Sequence, residues 1–204
     1  MDTGRQITVL GMDPGKLNFG YSISEHKVRP DSGLMATRLV VNGLMKNVPD
    51  SVDAWSRHDE RSSLLNEFRD VAYPAPGAVP MHDEPTYVAI ERFMARGKSL
   101  RGSVMESTCM TIGFILGNLY SVPEVALVTP AAWKNAYNSK RKKSSGSLND
   151  DYKSCGTTPH QLDAVLIGTY AAAKMLDVDP FNFATDERRT AKFLRNVEKA
   201  ASVG

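Results

Sequence analysis

The sequence predicts an α/β fold: one mixed sheet of five strands, three antiparallel and then two parallel, with helices on both of its faces. Two patterns indicate this fold. Near the N-terminus, three short apolar or alternating runs follow one another with turn-forming residues between them, which is typical of an antiparallel meander. Further along, strand-like runs alternate with segments whose apolar residues recur at helical spacing, which is typical of helices packed on the faces of a sheet.

The predicted strands are short and rich in β-branched or aromatic residues. They are Gln6–Met12, Phe19–Ser24, Leu39–Leu44, Thr86–Ile90 and Val125–Val128. Helical periodicity or a helix-starting proline marks the predicted helices, which are Ser51–Tyr73, Ser103–Tyr120, a short helix from Pro130, and Pro159 to about Leu176. Prolines make 74–85 a predicted loop, and the polar, basic run 139–158 is predicted to be another.

The composition is that of an ordinary globular protein. Of the 204 residues, 42% are hydrophobic and 24% charged, and a net charge of +2 does not by itself indicate a nucleic-acid partner. We expect one domain over residues 1–180 and an amphipathic helical extension over 181–204. Cys109 and Cys155 have no histidine pair at ligand spacing, which argues against a zinc site. Without a secretion signal or a membrane-spanning run, the expected location is a reducing cytoplasm.

Acidic residues stand at the carboxyl ends of two predicted strands. Asp13 follows the first strand and Glu91 follows the fourth. Ligands of open sheets bind off the carboxyl ends of strands near a switch in strand order, so these two side chains are expected to converge. His160 and Asp163 are three residues apart at the start of the last long helix and share a face. These four residues predict an oxygen-rich site suited to Mg²⁺ or Mn²⁺.

Each of these residues also has an ordinary structural interpretation. An Asp after a strand is commonly a turn-former or a helix cap, and Glu91 can pair with Arg92 or Arg96 at the surface. A single His such as His160 is often a cap or a hydrogen-bonded core residue. The metal-site prediction therefore depends on the joint pattern in this order of elements.

Three short motifs carry the acidic residues: Val9-Leu-Gly-Met-Asp-Pro-Gly15 with Gly20-Tyr21 after it, Ala89-Ile-Glu-Arg-Phe-Met-Ala95, and His160-x-x-Asp163-Ala164. In this order they resemble the motifs of RuvC-type Holliday-junction resolvases, a family of the RNase H-like superfamily. The similarity runs from about Ile7 to Lys174. The stretch from Val28 to Pro80 is longer than expected for compact bacterial members, which fits a phage or otherwise diverged branch.

The resemblance implies an RNase H-like fold, a homodimer, two Mg²⁺ ions and symmetric nicking of four-way DNA junctions. Asp13 would contact both ions, and Glu91, His160 and Asp163 would complete their shells, so that these four are the expected catalytic and metal-binding residues. Many members have Asp where this chain has His160, which leaves two roles for it: binding metal or orienting water. We expect Mn²⁺ to substitute for Mg²⁺.

Local positive charge flanks the expected site on both sides. One group follows Glu91 and the other precedes the helix of His160, where both could neutralise phosphates. Phe93 is expected either to stack on an unpaired base or to pack in the core. The residues expected to contact DNA are Arg92, Phe93, Arg96, Lys98, Arg101, Lys134, Lys140, Arg141, Lys142 and Lys143, with Lys153 in the second group.

Other functions remain open at this point. A related nuclease would act on flaps, forks or RNA–DNA hybrids, and a non-catalytic junction-binding module would have lost the carboxylates that this chain has. An ATP-binding protein of the actin or sugar-kinase type shares the topology but needs a second domain. The helix Ser103–Tyr120 is apolar on more than one face, so it is either buried in the monomer or shared with a partner in a dimer.

Overall fold

The computed structural model describes residues 5–15, 18–29, 33–46, 85–92, 102–117, 124–140 and 157–181. The predicted helix Ser51–Tyr73, the predicted C-terminal extension beyond residue 181 and most of the two predicted loops lie outside these ranges. Within them, no helix is long and apolar enough to cross a membrane.

The described part of the chain forms one mixed sheet with helices. The elements are β1 (Gln6–Pro14), β2 (Asn18–Val28), β3 (Met35–Lys46), β4 (Tyr87–Glu91), α1 (Gly102–Gly117), β5 (Glu124–Val128), α2 (Pro130–Lys140) and α3 (Pro159–Met175). The strand order is β3-β2-β1-β4-β5. Strands β1, β2 and β3 pair antiparallel, whereas β4 pairs parallel with both β1 and β5. This topology confirms the predicted fold class.

The sheet separates two hydrophobic cores. Because successive side chains of a strand point to opposite faces, β1 and β4 contribute to both. Val9 and Ala89 pack in the core beneath α2 and α3, while Leu10 and Val88 pack in the core that includes Ile115 of α1. Helices therefore cover both faces of the sheet, as predicted. Strand β1 lies at the centre and is buried along most of its length.

Helix α3 lies close to the sheet because glycines face it. A methyl group built on Gly11 would lie 2.2 Å from the carbonyl oxygen of Ala164, and one built on Gly20 would lie 2.0 Å from that of His160. Gly168 of α3 in turn faces the Cα of Gly11. A side chain at Gly11 or Gly20 would push the helix away from the sheet. These glycines therefore set the height of α3 above β1 and β2.

Strand β2 is longer than the predicted Phe19–Ser24 because it continues through a buried histidine. The Nε2 atom of His26 lies 2.8 Å from Ser24 Oγ, and its Nδ1 atom lies 3.1 Å from Thr37 Oγ1 on β3. Burial lowers the pKa of His26 to about 3, so the ring is neutral. Hydroxyl partners allow a polar residue to occupy the core, which a prediction from apolar alternation does not detect.

The packed domain reaches at least to Phe181. This ring is fully buried and meets Tyr137 of α2 edge to face, with the ring centroids 5.2 Å apart. Just before it, Asp179 forms an ion pair with Lys140 at the end of α2. Phe181, the last residue that the structure describes, therefore still contributes to the core.

Candidate active site

Strands β1 and β4 bring Asp13 and Glu91 to the same end of the sheet. Their parallel pairing runs as far as Met12 opposite Ile90, so Asp13 and Glu91 are the next residues along neighbouring strands. By the two-residue period, both lie on the face that carries Val9 and is covered by α3. Strand β1 extends past the predicted end at Met12, so Asp13 pairs with Gly20 within the sheet. Both carboxylates therefore belong to residues whose backbones pair with a neighbouring strand.

The first turns of α3 contribute the other two predicted residues. The helix begins with a capping box: Thr158 Oγ1 accepts a hydrogen bond from the Gln161 backbone N–H, and Gln161 Oε1 accepts one from that of Thr158. Pro159 occupies the first turn, as predicted. From this fixed start, His160 Nδ1 reaches to 2.6 Å from Asp13 Oδ2.

Each carboxylate of the cluster has a different protein partner. His160 pairs with Asp13, and the indole Nε1 of Trp133 donates a hydrogen bond of 2.9 Å to Glu91 Oε2. The Nζ atom of Lys134 lies 3.4 Å from Asp163 Oδ2. Asp13 and Asp163 are both almost inaccessible to solvent. The protein therefore offsets two buried acids and one half-buried acid with an imidazole, an ammonium group and one indole N–H donor.

The pKa values of two residues show that the four groups act on one another. Burial raises the pKa of Glu91, and the negative charges of Asp13 and Asp163 raise it further, against the hydrogen bond from Trp133. The hydrogen bond with Asp13 raises the pKa of His160, burial opposes this, and the charges of the three acids add to the rise. The site is therefore a concentration of negative charge that attracts protons or other cations.

The four side chains supply the kinds of ligand atom that a divalent cation requires, although they do not surround a single point. Within the described ranges, no three His, Cys, Asp or Glu side chains are already placed to hold a metal ion. Three carboxylates and an imidazole are nevertheless ligands that Mg²⁺ and Mn²⁺ accept. Burial and, to a lesser extent, the charges of Asp13 and Asp163 raise the pKa of Glu91, and a bound cation would favour its ionised form against both.

The residues predicted to contact DNA have different surroundings. Arg92 is exposed directly after Glu91. Lys134 pairs with Asp163 inside the site. Lys140 pairs with Asp179, which lies beyond the C-terminal end of α3 and is therefore distant from His160 at the start of that helix. The remaining predicted contacts lie outside the described residues; they are Phe93, Arg96, Lys98, Arg101, Arg141, Lys142, Lys143 and Lys153.

Sequence reasoning did not identify Trp133 as part of the site. Pro130 indicated a short helix containing it, but nothing in the local pattern indicates that its indole reaches Glu91. That contact depends on how α2 packs beside β4. The close approach of α3 at Gly20 was missed for the same reason, although Gly20 belongs to the first motif.

Comparisons with known proteins are consistent with this geometry at the level of the fold. No protein-family model matches the sequence, and no curated protein matches it. Among solved structures, Thermus thermophilus RuvC superposes with a TM-score of 0.54 at 16% sequence identity, over 86% of this chain and 100% of that chain. T. thermophilus RuvC in complex with a Holliday junction substrate gives the same TM-score at 19% identity, over 86% of this chain and 99% of that one.

The sheet order and the helices on both faces define an RNase H-like α/β fold. More particularly, the chain has a RuvC-like fold, as the resemblance of its three motifs implied.

Proposed function

We propose that this protein is a metal-dependent, structure-selective endonuclease that resolves four-way DNA junctions by symmetric phosphodiester hydrolysis. The observation that carries the proposal is that Asp13, Glu91, His160 and Asp163 lie at the same end of a RuvC-like sheet, close enough for their charges to act on one another. The similarity to RuvC, which has been solved with a Holliday junction substrate, supports the choice of substrate.

Two Mg²⁺ ions, for which Mn²⁺ can substitute, are the proposed cofactors. Asp13, Glu91 and Asp163 would hold them through carboxylate oxygens, with His160 as a further ligand or as a group that orients water. Because His160 Nδ1 is hydrogen-bonded to Asp13, ion binding is expected to compete with the proton that this pair shares. Metal affinity should therefore decrease as the pH falls and His160 becomes protonated.

The residues of the site have separate tasks in this proposal. Bound divalent ions would supply an activated water and relieve negative charge on the phosphoryl group. Asp13 and Asp163 are nearly buried, so water screens their charges little, and they attract cations strongly. His160 holds a proton at Nδ1 towards Asp13, and Arg92 places positive charge at the open end of β4. The acids repel a bare phosphate, so DNA is expected to bind productively only after metal.

Two amide substitutions test the proposal. We expect Asp13→Asn and Asp163→Asn to abolish cleavage of a labelled four-way junction in Mg²⁺ while junction binding is retained, because only the charge of a buried ligand is lost. Glu25→Gln is a matched control, since this carboxylate pairs with Arg38 at the opposite end of the sheet. Cleavage by Asp13→Asn at the wild-type rate would exclude the proposed site.

A panel of substrates separates junction resolution from the other nuclease activities. Labelled four-way junctions, flaps, forks and RNA–DNA hybrids are incubated with Mg²⁺, and the nicks are mapped on both strands. Paired nicks at symmetric positions of the four-way junction are the expected result. Preferential cleavage of a flap or a hybrid would leave the assignment as a nuclease unchanged but would reassign its substrate.

Phe93→Ala is expected to reduce cleavage of intact junctions more than that of open forks.

A homodimer is the proposed assembly, because symmetric nicking requires two sites. The helix α1, predicted to be either buried or shared, leaves Met110 59% exposed. On the same face of the sheet, the edge strand β5 exposes Leu127, which lies opposite the buried Ile90 of β4. Analytical ultracentrifugation with and without a junction measures the assembly; a monomer on the junction would remove the symmetric mechanism.

A further inference from the structure

Trp133 is buried at the edge of the carboxylate site. It lies in the first turn of α2, which starts where Thr129 Oγ1 accepts a hydrogen bond from the backbone N–H of Ala132. Its side chain has no solvent exposure and belongs to the same core as Val128 and Leu166. Core side chains therefore surround the indole ring, and its Nε1 faces Glu91.

The N–H group and the ring face of the indole contact two different parts of the site. Its N–H donates to Glu91 Oε2, and the face of its ring lies 4.8 Å from the Nζ atom of Lys134. Lys134 is the residue whose ammonium group lies beside Asp163. A single buried side chain thus connects an acid from β4 with an acid from α3.

We propose that Trp133 is a positioning residue for the carboxylate site: its indole N–H orients Glu91, and its ring face keeps Lys134 beside Asp163. The inference rests on the proposed function, because it assigns Trp133 a part in presenting ligands to metal. An indole is a donor only, so it occupies one lone pair of Oε2 and leaves Oε1 of Glu91 available. Groups that orient metal ligands in this way commonly change metal affinity or activity by roughly 10- to 100-fold.

The alternative is that Trp133 is an ordinary core aromatic whose N–H finds Glu91 because a buried N–H needs an acceptor. Trp133→Phe distinguishes the two, because it removes the N–H but keeps an aromatic ring in the core. Tyr137→Phe is the matched control: Tyr137 is also fully buried on α2, one turn later, and packs on Phe181. Both variants remove one polar group from a buried ring on the same helix, and Trp133→Phe in addition removes ring volume, so it is expected to be the less stable of the two.

The hydrogen bond itself is tested without metal or DNA by the indole signals in a ¹H–¹⁵N correlation spectrum. The chain has two tryptophans, so Trp133→Phe identifies the Trp133 signal by its disappearance. We expect this signal to shift on Glu91→Gln and to be unaffected by Tyr137→Phe. A Trp133 signal that does not respond to Glu91→Gln would overturn the proposal.

The function of the contact is tested by Mn²⁺ binding, measured calorimetrically on the DNA-free protein, and by the Mg²⁺ dependence of junction cleavage. Relative to Tyr137→Phe, we expect Trp133→Phe to bind Mn²⁺ roughly 10- to 100-fold more weakly and to need correspondingly more Mg²⁺ for cleavage, with both variants assayed well below their thermal midpoints. Equal Mn²⁺ affinity and equal Mg²⁺ dependence in the two variants would overturn the proposal.

Failure of the proposed function gives a different result. In that case the wild-type protein itself neither binds Mn²⁺ nor cleaves any substrate of the panel, while the indole signal still responds to Glu91→Gln. This outcome would overturn the assignment of Trp133 to a metal site together with the nuclease proposal.

Discussion

Gly20 is the position where the addition of a single methyl group, by substitution with alanine, is expected to disturb the site most. A Cβ atom there would lie 2.0 Å from the carbonyl oxygen of His160 and 2.3 Å from its carbonyl carbon. Cβ atoms essentially never come within 3.0 Å of other atoms, so the start of α3 has to move away from β2 by about 1 Å. The obstructing atoms are backbone atoms of a capped helix, so no side-chain rotation relieves the contact.

We expect Gly20→Ala to lower the free energy of unfolding by about 1–3 kcal/mol, the usual range for overpacking. Cleavage should fall about 100-fold, because a displacement of about 1 Å carries His160 and Asp163 away from Asp13 and Glu91. Gly168→Ala is the matched control at the same interface. Its Cβ would meet Gly11 Cα at 3.4 Å, which is ordinary contact, and Ala favours a helix over Gly by up to about 1 kcal/mol.

Urea unfolding followed by circular dichroism gives the free energies, and junction cleavage is measured on the same preparations. The two alanine variants should differ in sign: Gly20→Ala is destabilised, whereas Gly168→Ala is unchanged or slightly stabilised. The reasoning is refuted if Gly20→Ala unfolds at the same urea concentration as Gly168→Ala and cleaves at the wild-type rate.

Other substitutions test other parts of the structure. Burial holds the pKa of His26 at about 3 against 6.5 for an exposed histidine, so the unfolded state binds the extra proton. The free energy of unfolding should therefore fall as the pH drops from 6.5 towards 3, by up to about 1.4 kcal/mol per pH unit, and His26→Gln should reduce this slope in urea titrations. Phe181→Ala should cost about 3–5 kcal/mol in the same assay; a loss below about 1 kcal/mol would contradict its place in the core. Lys134→Gln should slow cleavage more than Lys140→Gln, because only Lys134 faces Asp163; equal single-turnover rates would argue against this.

The fold was predictable because its central strands are apolar in sequence. Strand β1 is buried on both faces, and its run of apolar residues up to Met12 indicated this directly. The end of β2 was not predictable in the same way. Glu25, His26 and Lys27 look like a polar loop, and only their pairing with β1 and β3, where Thr37 is a partner of His26, makes them part of a strand.

The members of the site were predictable to the extent that their positions follow from topology. Asp13 and Glu91 were expected to meet because both follow strands, and their neighbouring register on β1 and β4 agrees with that expectation. Their partners were not predictable, because the contacts of Trp133 with Glu91 and of Lys134 with Asp163 join elements distant in sequence. Such contacts depend on how α2 and α3 pack, which local sequence patterns do not encode.

The parallel pair of β1 and β4 also has a consequence for how the chain folds. Thr86 donates to the carbonyl of Thr8 at the start of this pair, across 78 residues of sequence. The entropy lost in closing such a loop grows only with the logarithm of its length, by about 0.6 kcal/mol per doubling. The distance in sequence therefore weighs on the folding rate more than on the stability, since Asp13 and Glu91 meet only after two distant segments have found each other.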